Sequence, residues 1–552
     1  MDSIGKLRDR MSDPSLMNSH RRPEDAAART LTLNVIREPA FVAMSPRMRE
    51  VCWDFGIPPR ETPTIIAENL QLTLKPGTLA VVTGPSGAGK SSILQAAADK
   101  LGDVTWAGRG AFPVDRAIVD CIAPRRPLGE ALEILTACGL GEPRLWVRRF
   151  TDLSDGEQFR AALARTIGKT VSEGGSRPII CDEFTALLHR RLARSLAHNL
   201  RKLVTRNGLI FLAATTHDDI LQDLRPDILI RLGTGGPSVH AVNPRGGAMS
   251  LHRRAVIEQG GVRDYASFAP LHYRHRDGLG FVDKVFVLRE RKAGDPLGIL
   301  VFAMAPAELA LRNRATRGRF IRNIRRLNRD LRILRRLVMH PDVRGCGLGH
   351  WFVQQTLPRV GVRFIECLAA MGAVNPVFEM AGMTRVGRCP LPRGRIRLLE
   401  RMAKHHVDPF AADFQRQIAR SPRVRSLVER TILQWVSATT AGHKYRPERR
   451  DPEELARAFR QLVGSPPMYY LWDRDEEYPA AGSIDADEKS PLTCVRGSDR
   501  GAGESMEIGE RNHDPNRPPI RPRCTTERFE TRENDRRRTR GRGTRHDPGG
   551  CN

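Results

Sequence analysis

What this chain lacks narrows its possible roles first. Its 10 cysteines include no Cys-x-x-Cys pair, which argues against a zinc site and against a disulfide framework. A reduced, cytoplasmic setting fits best. No stretch approaches the ~18 consecutive apolar residues of a membrane-spanning helix. The first thirty residues are charged throughout and hold no apolar segment, so no secretory signal is expected. No internal repeat is present, which argues against a solenoid. Carboxylates are scarce beside cations: 63 Asp and Glu face 90 Lys and Arg, a formal charge of +27. Such a field draws polyanions, nucleic acid foremost, although arginine enrichment through genomic base composition would leave the same surplus.

Patterning divides the 552 residues into five segments. Residues 1–60 are a polar leader and N-terminal extension. Residues 61–245 alternate apolar runs with helical periodicity, as a parallel α/β sheet requires. Residues 255–398 give strands such as "KVFVLRE", "GILVFAM" and "RFIECLA" between helical or loop stretches. Residues 405–472 repeat apolar positions at three and four, predicting a helical extension. Residues 480–552 hold much Pro, Gly and charge and almost no aliphatic periodicity. They read as a disordered basic tail, or as a shifted reading frame.

Within the second segment, "GPSGAGKS" (Gly84, Pro85, Ser86, Gly87, Ala88, Gly89, Lys90, Ser91) follows "TLAVVT" and precedes "SSILQAAADKL". This fills every fixed position of the phosphate-binding G-x-x-x-x-G-K-[ST] pattern between a strand and a helix. Main-chain N–H groups of such a loop, with Ser92 opening the helix, wrap a nucleotide's phosphates. Lys90 would reach the outer phosphates, and Ser91 would ligate Mg²⁺. The strand-like "RPIICDEF" ends in Asp182, a candidate metal partner, and Glu183, a candidate base for the attacking water. Trp53 and Phe55 are candidates for stacking on adenine, or for core positions.

With "LSDGEQFRAALAR" before the carboxylate strand and "LAATTH" after it, the segment resembles the ABC-type ATPases. The resemblance implies an α/β P-loop NTPase fold that uses ATP. It further implies a head-to-tail homodimer in which Ser154 and Gly156 of one chain reach the γ-phosphate held by the other, with His217 as the switch histidine. Three departures stand out. Asp155 replaces the usual glycine, Leu188 replaces the usual aspartate, and no glutamine of the transport-sensing loop is found. They favour an engine acting on something other than a transporter, as in DNA repair or translation.

A second glycine-rich turn, "RGCGLG" (Arg344, Gly345, Cys346, Gly347, Leu348, Gly349), follows the strand-like "RRLVMHP". It lacks the Lys-Ser ending, so it suits a diphosphate without metal, or is simply a tight strand-to-helix turn. "VMHPDVRGCGLGHWF" and the later "NPVFEMAGM" resemble the GNAT acyltransferases. That resemblance implies an α+β acyltransferase domain and an acetyl-CoA site built from residues 344–349 with Val338 and Asn375. Phe378 stands where many members carry a tyrosine acid. His272 and Tyr273 are the substitute acid–base candidates; they resemble a His-Tyr pair of Mom-type DNA-modifying proteins. Glu366 is a rival base, or equally a structural carboxylate buried on a strand, and His340 reads as a strand-end residue. Taken together, residues 60–398 resemble an ABC-type ATPase fused to a GNAT domain. This implies ATP-driven acyl transfer to an amine of a DNA or RNA base. The alternatives are a transporter's ATP-binding subunit and a non-catalytic GNAT-fold module. The arginine block "LRNRATRGRFIRNIRRLNRDLRILRR" (residues 311–336) is a candidate phosphate-binding face, or a solvated helix face.

Overall fold

Strand β1 (Arg29–Arg37) pairs antiparallel with β2 (Thr64–Leu74), and helix α1 (Pro46–Phe55) lies in the connection. The apolar run that follows becomes β3 (Leu79–Thr83), buried at all five positions. Next come α2 (Lys90–Leu101), β4 (Thr105–Trp106), α3 (Leu128–Ala137), α4 (Asp155–Ser172), β5 (Ile179–Cys181), α5 (Arg190–Asn207), β6 (Phe211–Thr215), β7 (Ile228–Gly233) and β8 (Gly236–Ala241). The computed structural model describes residues 28–475, except 39–42, 59–61, 109, 176, 234–235, 243–246, 273–277, 292–293, 391–393 and 437–449. Tyr273, the leader up to residue 27 and the expected tail therefore lie outside the described residues.

These strands form a six-stranded sheet in the order β4-β5-β6-β3-β7-β8, parallel except for β8. Strands β3, β5 and β6 have no polar face, as expected of a sheet covered by helices on both sides. Helix α5 buries Leu192, Leu196, Leu200 and Leu203 against one face. Helix α2 buries Ile93, Leu94, Ala97 and Ala98 against the other.

The second half begins with β9 (Ala255–Gly260), β10 (Val282–Glu290) and β11 (Pro296–Ala303). It continues through α6 (Ala310–Ala315), α7 (Ile324–Asp330), β12 (Leu331–Met339), α8 (Leu348–Thr356), β13 (Phe364–Ala369) and β14 (Thr384–Arg388). Helices α9 (Arg395–Lys404), α10 (Phe414–Arg420), α11 (Pro422–Val436) and α12 (Pro452–Val463) then lead to β15 (Met468–Asp473). The sheet order is β14-β15-β13-β12-β11-β10-β9. This corrects the expected boundaries. The domain does not close at residue 398, because β15 returns to fill the slot between β13 and β14. The expected helical extension is an excursion inside the domain, with its own core of Met402, Phe414, Ile418, Val428, Leu455 and Phe459.

Strands β12 and β13 form the parallel pair of this sheet, and only Leu331–Leu334 pair with Phe364–Cys367. Beyond Leu334, β12 keeps its bonds to β11 but has no partner in β13. The two strands therefore part on the way to the second glycine turn. Residues 247–254 join the halves. Met249 and Leu251 are buried in the second core, while Asp223 accepts bonds from the Ser250 N–H (2.6 Å) and Oγ (2.7 Å). Among the described residues, no helix is long and apolar enough to cross a membrane.

Candidate functional site

The residues after β3, β5 and β6 emerge from the same edge of the first sheet. Thr83 stands opposite Thr215, and Cys181 opposite Ala213. Gly84–Ser91, Asp182–Glu183 and His217 therefore follow three adjacent strands spaced ~4.8 Å apart. The loop turns into α2 through Gly89, whose φ of +96° lies in the left-handed region open to glycine. A Cβ there would stand 2.7 Å from Ile66. Among the described residues, the N–H groups of Gly87, Gly89, Lys90 and Ser91 have no hydrogen-bond acceptor. The Lys90 ammonium turns back on the loop, donating to the carbonyls of Gly84 (2.9 Å) and Pro85 (2.7 Å). Main-chain donors thus line one short turn at the start of α2, an arrangement suited to an anion.

Asp182 accepts from the Glu183 N–H at 2.9 Å. Glu183 has φ +50°, a strained conformation for a non-glycine residue, and its side chain is exposed. The His217 N–H donates to Thr215 Oγ1 at 3.1 Å. The adjacent Asp218 is held by Thr83 (2.5 Å) and Arg231 (2.7 Å). Ser154 caps α4, with its N–H donating to the Glu157 carboxylate at 2.9 Å. Gly156 lies against the Leu187 carbonyl, 3.3 Å from where a Cβ would be. Leu188, in place of the usual aspartate, is buried in the core. Among the described residues, no group of three His, Cys, Asp or Glu could hold a metal ion. Ser91 and Asp182 suit Mg²⁺, which keeps waters and shares phosphate oxygens instead of filling a protein cage.

Over 209 residues the chain is 31% identical to the lipoprotein-releasing system ATP-binding protein LolD of Novosphingobium aromaticivorans, covering 31% of this chain and 88% of that protein. The chain belongs to the ABC-type ATPases. It is also 28% identical to the hemin import ATP-binding protein HmuV of Agrobacterium fabrum, over 32% of this chain and 82% of that one. Among solved structures it is similar to a dimeric ATP-binding cassette in a post-hydrolysis state with ADP and phosphate. There the identity is 17%, the coverage 39% of this chain and 99% of that one, and the TM-score 0.29. No family model matches the chain.

Trp53 and Phe55 are 85% and 74% exposed on α1, a helix with no buried residue, which rules out the core reading and leaves stacking on adenine as a proposal. Arg37 donates to the Gly87 carbonyl of the phosphate loop at 3.3 Å.

In the second half, Gly347 (φ +93°) caps α8, and among the described residues the N–H groups of Gly347, Gly349 and His350 have no hydrogen-bond acceptor. Leu348 and Cys346 are buried, with the Cys346 thiol donating to the Val343 carbonyl. Arg344 is largely buried and draws three segments together. It donates to the carbonyls of Met339 (3.0 Å), Leu271 (3.0 Å) and Gly141 (3.4 Å), and it pairs with Glu142 at 3.4 Å. His272, next to Leu271, is thereby tethered beside the turn. The Val338 side chain packs into an apolar cluster with Ile299 and Val301, leaving only its main chain to a ligand. Asn375 is exposed and caps its own turn at the Val377 N–H (3.2 Å). Phe378 is buried, 5.4 Å from the Tyr470 ring.

Two expectations fail on packing. Glu366 is no free base: it is fully buried, bound on both oxygens by Arg312 (2.6 and 2.8 Å) and by the Tyr469 hydroxyl (2.9 Å). Burial and the Glu366 charge push the Tyr469 phenol up. The arginine block is not one face. Arg312 is in that core, Arg336 is buried beside Tyr265, and Arg332 pairs with Asp283. Arg314, Arg317, Arg322 and Arg325 remain exposed.

Proposed function

We propose that residues 64–241 bind and hydrolyse ATP, and that the second half transfers an acyl group from acetyl-CoA to an amine, with a nucleic-acid base as the acceptor. In the first half, the loop amides and Lys90 bind the phosphates. Ser91 and Asp182 would hold the magnesium ion, which neutralises charge on them. Glu183 orients and polarises the attacking water, and His217 senses the terminal phosphate. A homodimer would bring Ser154 and Gly156 of a second copy to that phosphate.

The observation carrying the acyl reading is the glycine turn with free amides at the mouth of the gap where β12 leaves β13. An unpaired strand edge beside an anion cradle suits a coenzyme with a diphosphate head and an amide-bearing arm. His272, tethered through Arg344, would accept the amine proton. An activated thioester needs no ATP for its chemistry, so hydrolysis would move or clamp the acceptor. A base stacked in a duplex must be extruded before it reacts. Exposed Arg314, Arg317, Arg322 and Arg325 would grip the phosphate backbone flanking that base. Mass spectrometry of nucleosides from cells with and without the protein tests this. An acylated nucleoside found only with the protein supports it, and identical profiles overturn it.

The names of LolD and HmuV tie those relatives to transport systems. They favour a second reading, the ATP-binding subunit of a transporter. Hydrolysis stimulated by membranes carrying a partner, and indifferent to DNA or RNA, would select it.

A further inference from the structure

The second glycine turn does not face open solvent alone. Its outer side meets the ATPase half: a Cβ on Gly345 would stand 3.0 Å from the Thr136 carbonyl of α3 and 3.3 Å from Asn199 Nδ2 of α5. Asn199 is 2% exposed, and neither its Nδ2 nor its Oδ1 has a hydrogen-bond partner. A buried amide left unbonded costs about 1–3 kcal/mol, so one aimed at a turn with free N–H groups points to an absent ligand.

One turn along α5, Lys202 is solvent-accessible, and its charge helps to lower the pKa of His350 in the turn and of His252. Among the described residues, no carboxylate pairs with Lys202. The nearby buried Asp223 is taken up by Ser250. Burial first, and then the neighbouring cations, hold His252 down at about 4. Its Nδ1 is also without a partner. The Lys202 ammonium, Asn199 Nδ2 and the N–H groups of the turn bring donors from both halves together here, which suits a ligand rich in anionic oxygen. The half-open cavity of about 170 Å³ beside Arg191, Arg254 and Glu290 is too small to be a coenzyme site. Its carboxylate is paired with both arginines.

We propose that the diphosphate cradle is a two-domain site, in which Asn199 and Lys202 of the ATPase half grip the same diphosphate as the N–H groups of Gly347, Gly349 and His350. This rests on reading residues 344–349 as a coenzyme turn. Helix α5 also carries Arg190 and Arg194, which pair with Asp219 two residues past His217. One rigid helix thus touches both the nucleotide edge and the coenzyme cradle, and each ligand biases the affinity for the other.

Isothermal titration of the full chain with coenzyme A, and separately with inorganic pyrophosphate, tests the assignment. Lys202→Ala should weaken both ligands about tenfold, with Lys202→Arg restoring most of the loss. Asn199→Asp should weaken them more, because a carboxylate would oppose the phosphates. Melting curves report whether each variant folds. Lys202, being solvent-accessible, keeps the test sound if Asn199→Asp does not fold. Wild-type binding that is unchanged in the Lys202 variants, yet lost in Gly347→Leu, overturns the two-domain site and leaves the coenzyme turn standing. Wild-type protein that binds neither probe overturns both.

Discussion

The two glycine turns share one local design and differ in what faces them. Each follows a strand, and each enters its helix through a left-handed glycine, Gly89 at +96° and Gly347 at +93°. Each leaves a row of N–H groups without acceptors among the described residues. The first holds its own cation: Lys90 lies over the loop, and its neighbours Asp182 and Glu183 come from the same sheet edge. The second has no lysine in its motif. Its arginine, Arg344, is spent on the carbonyls of Met339, Leu271 and Gly141. A charge that one turn carries in its own sequence must reach the other from across a domain seam.

The sharpest way to break this comparison is Lys90→Ala. It should lower ATP binding and hydrolysis at least a hundredfold while coenzyme A affinity in the absence of nucleotide stays put, as read by nucleotide titration and phosphate release. Gly347→Leu is the mirror experiment. A side chain at a left-handed position beside His350, 3.3 Å from the new Cβ, should weaken coenzyme A by more than tenfold and spare basal hydrolysis. Loss of both activities in either variant would show the turns to be one site.

Acid tests the seam that only the second turn has. Burial, Lys202 and Arg225 hold the His198 imidazole down at about 3, against about 6.5 when unfolded. Between those values the unfolded chain binds the extra proton, so stability is intact above pH 6.5 and falls as pH drops. The loss should reach roughly 3 kcal/mol by pH 4, and His198→Gln should flatten that arm in denaturant titrations at several pH values. A smaller effect is expected from Arg322→Glu with Arg325→Glu. Nucleic-acid affinity should drop several-fold and the salt slope by about two, with ATP binding unmoved. The smallest is expected from ending the chain after Ala480, which should leave both binding constants unchanged.

The first turn was legible in the sequence because its chemistry is local. Eight consecutive residues set the strand, the turn and the helix start, and Asp182–Glu183 close an uninterrupted apolar strand. Features built by distant residues were not legible. Glu366 could be read either as a base or as a structural carboxylate, because the partners that decide it, Arg312 and Tyr469, lie 54 and 103 positions away. For Trp53 and Phe55 a core position stayed open in the sequence, because helical spacing does not say whether anything covers a face. Asn199 gave no signal at all, since an orphaned amide exists only where a second domain shuts out water. The domain limit at residue 398 failed for a similar reason. Four amphipathic helices look like an appendage until the strand after them is seen to pair with Phe364–Ala369.

That late strand has a consequence for how the protein is made. On the ribosome, everything the nucleotide-binding half needs has emerged once β8 is complete. The other sheet must wait with a vacant slot between β13 and β14 until Met468–Asp473 arrives, bringing Tyr469 and Tyr470, both fully buried at the end. Until then two strand edges lie open to wrong partners. A premature stop among the intervening helices would therefore release a working engine attached to a sticky, half-zipped sheet, which makes residues 468–473 the last stitch of the fold.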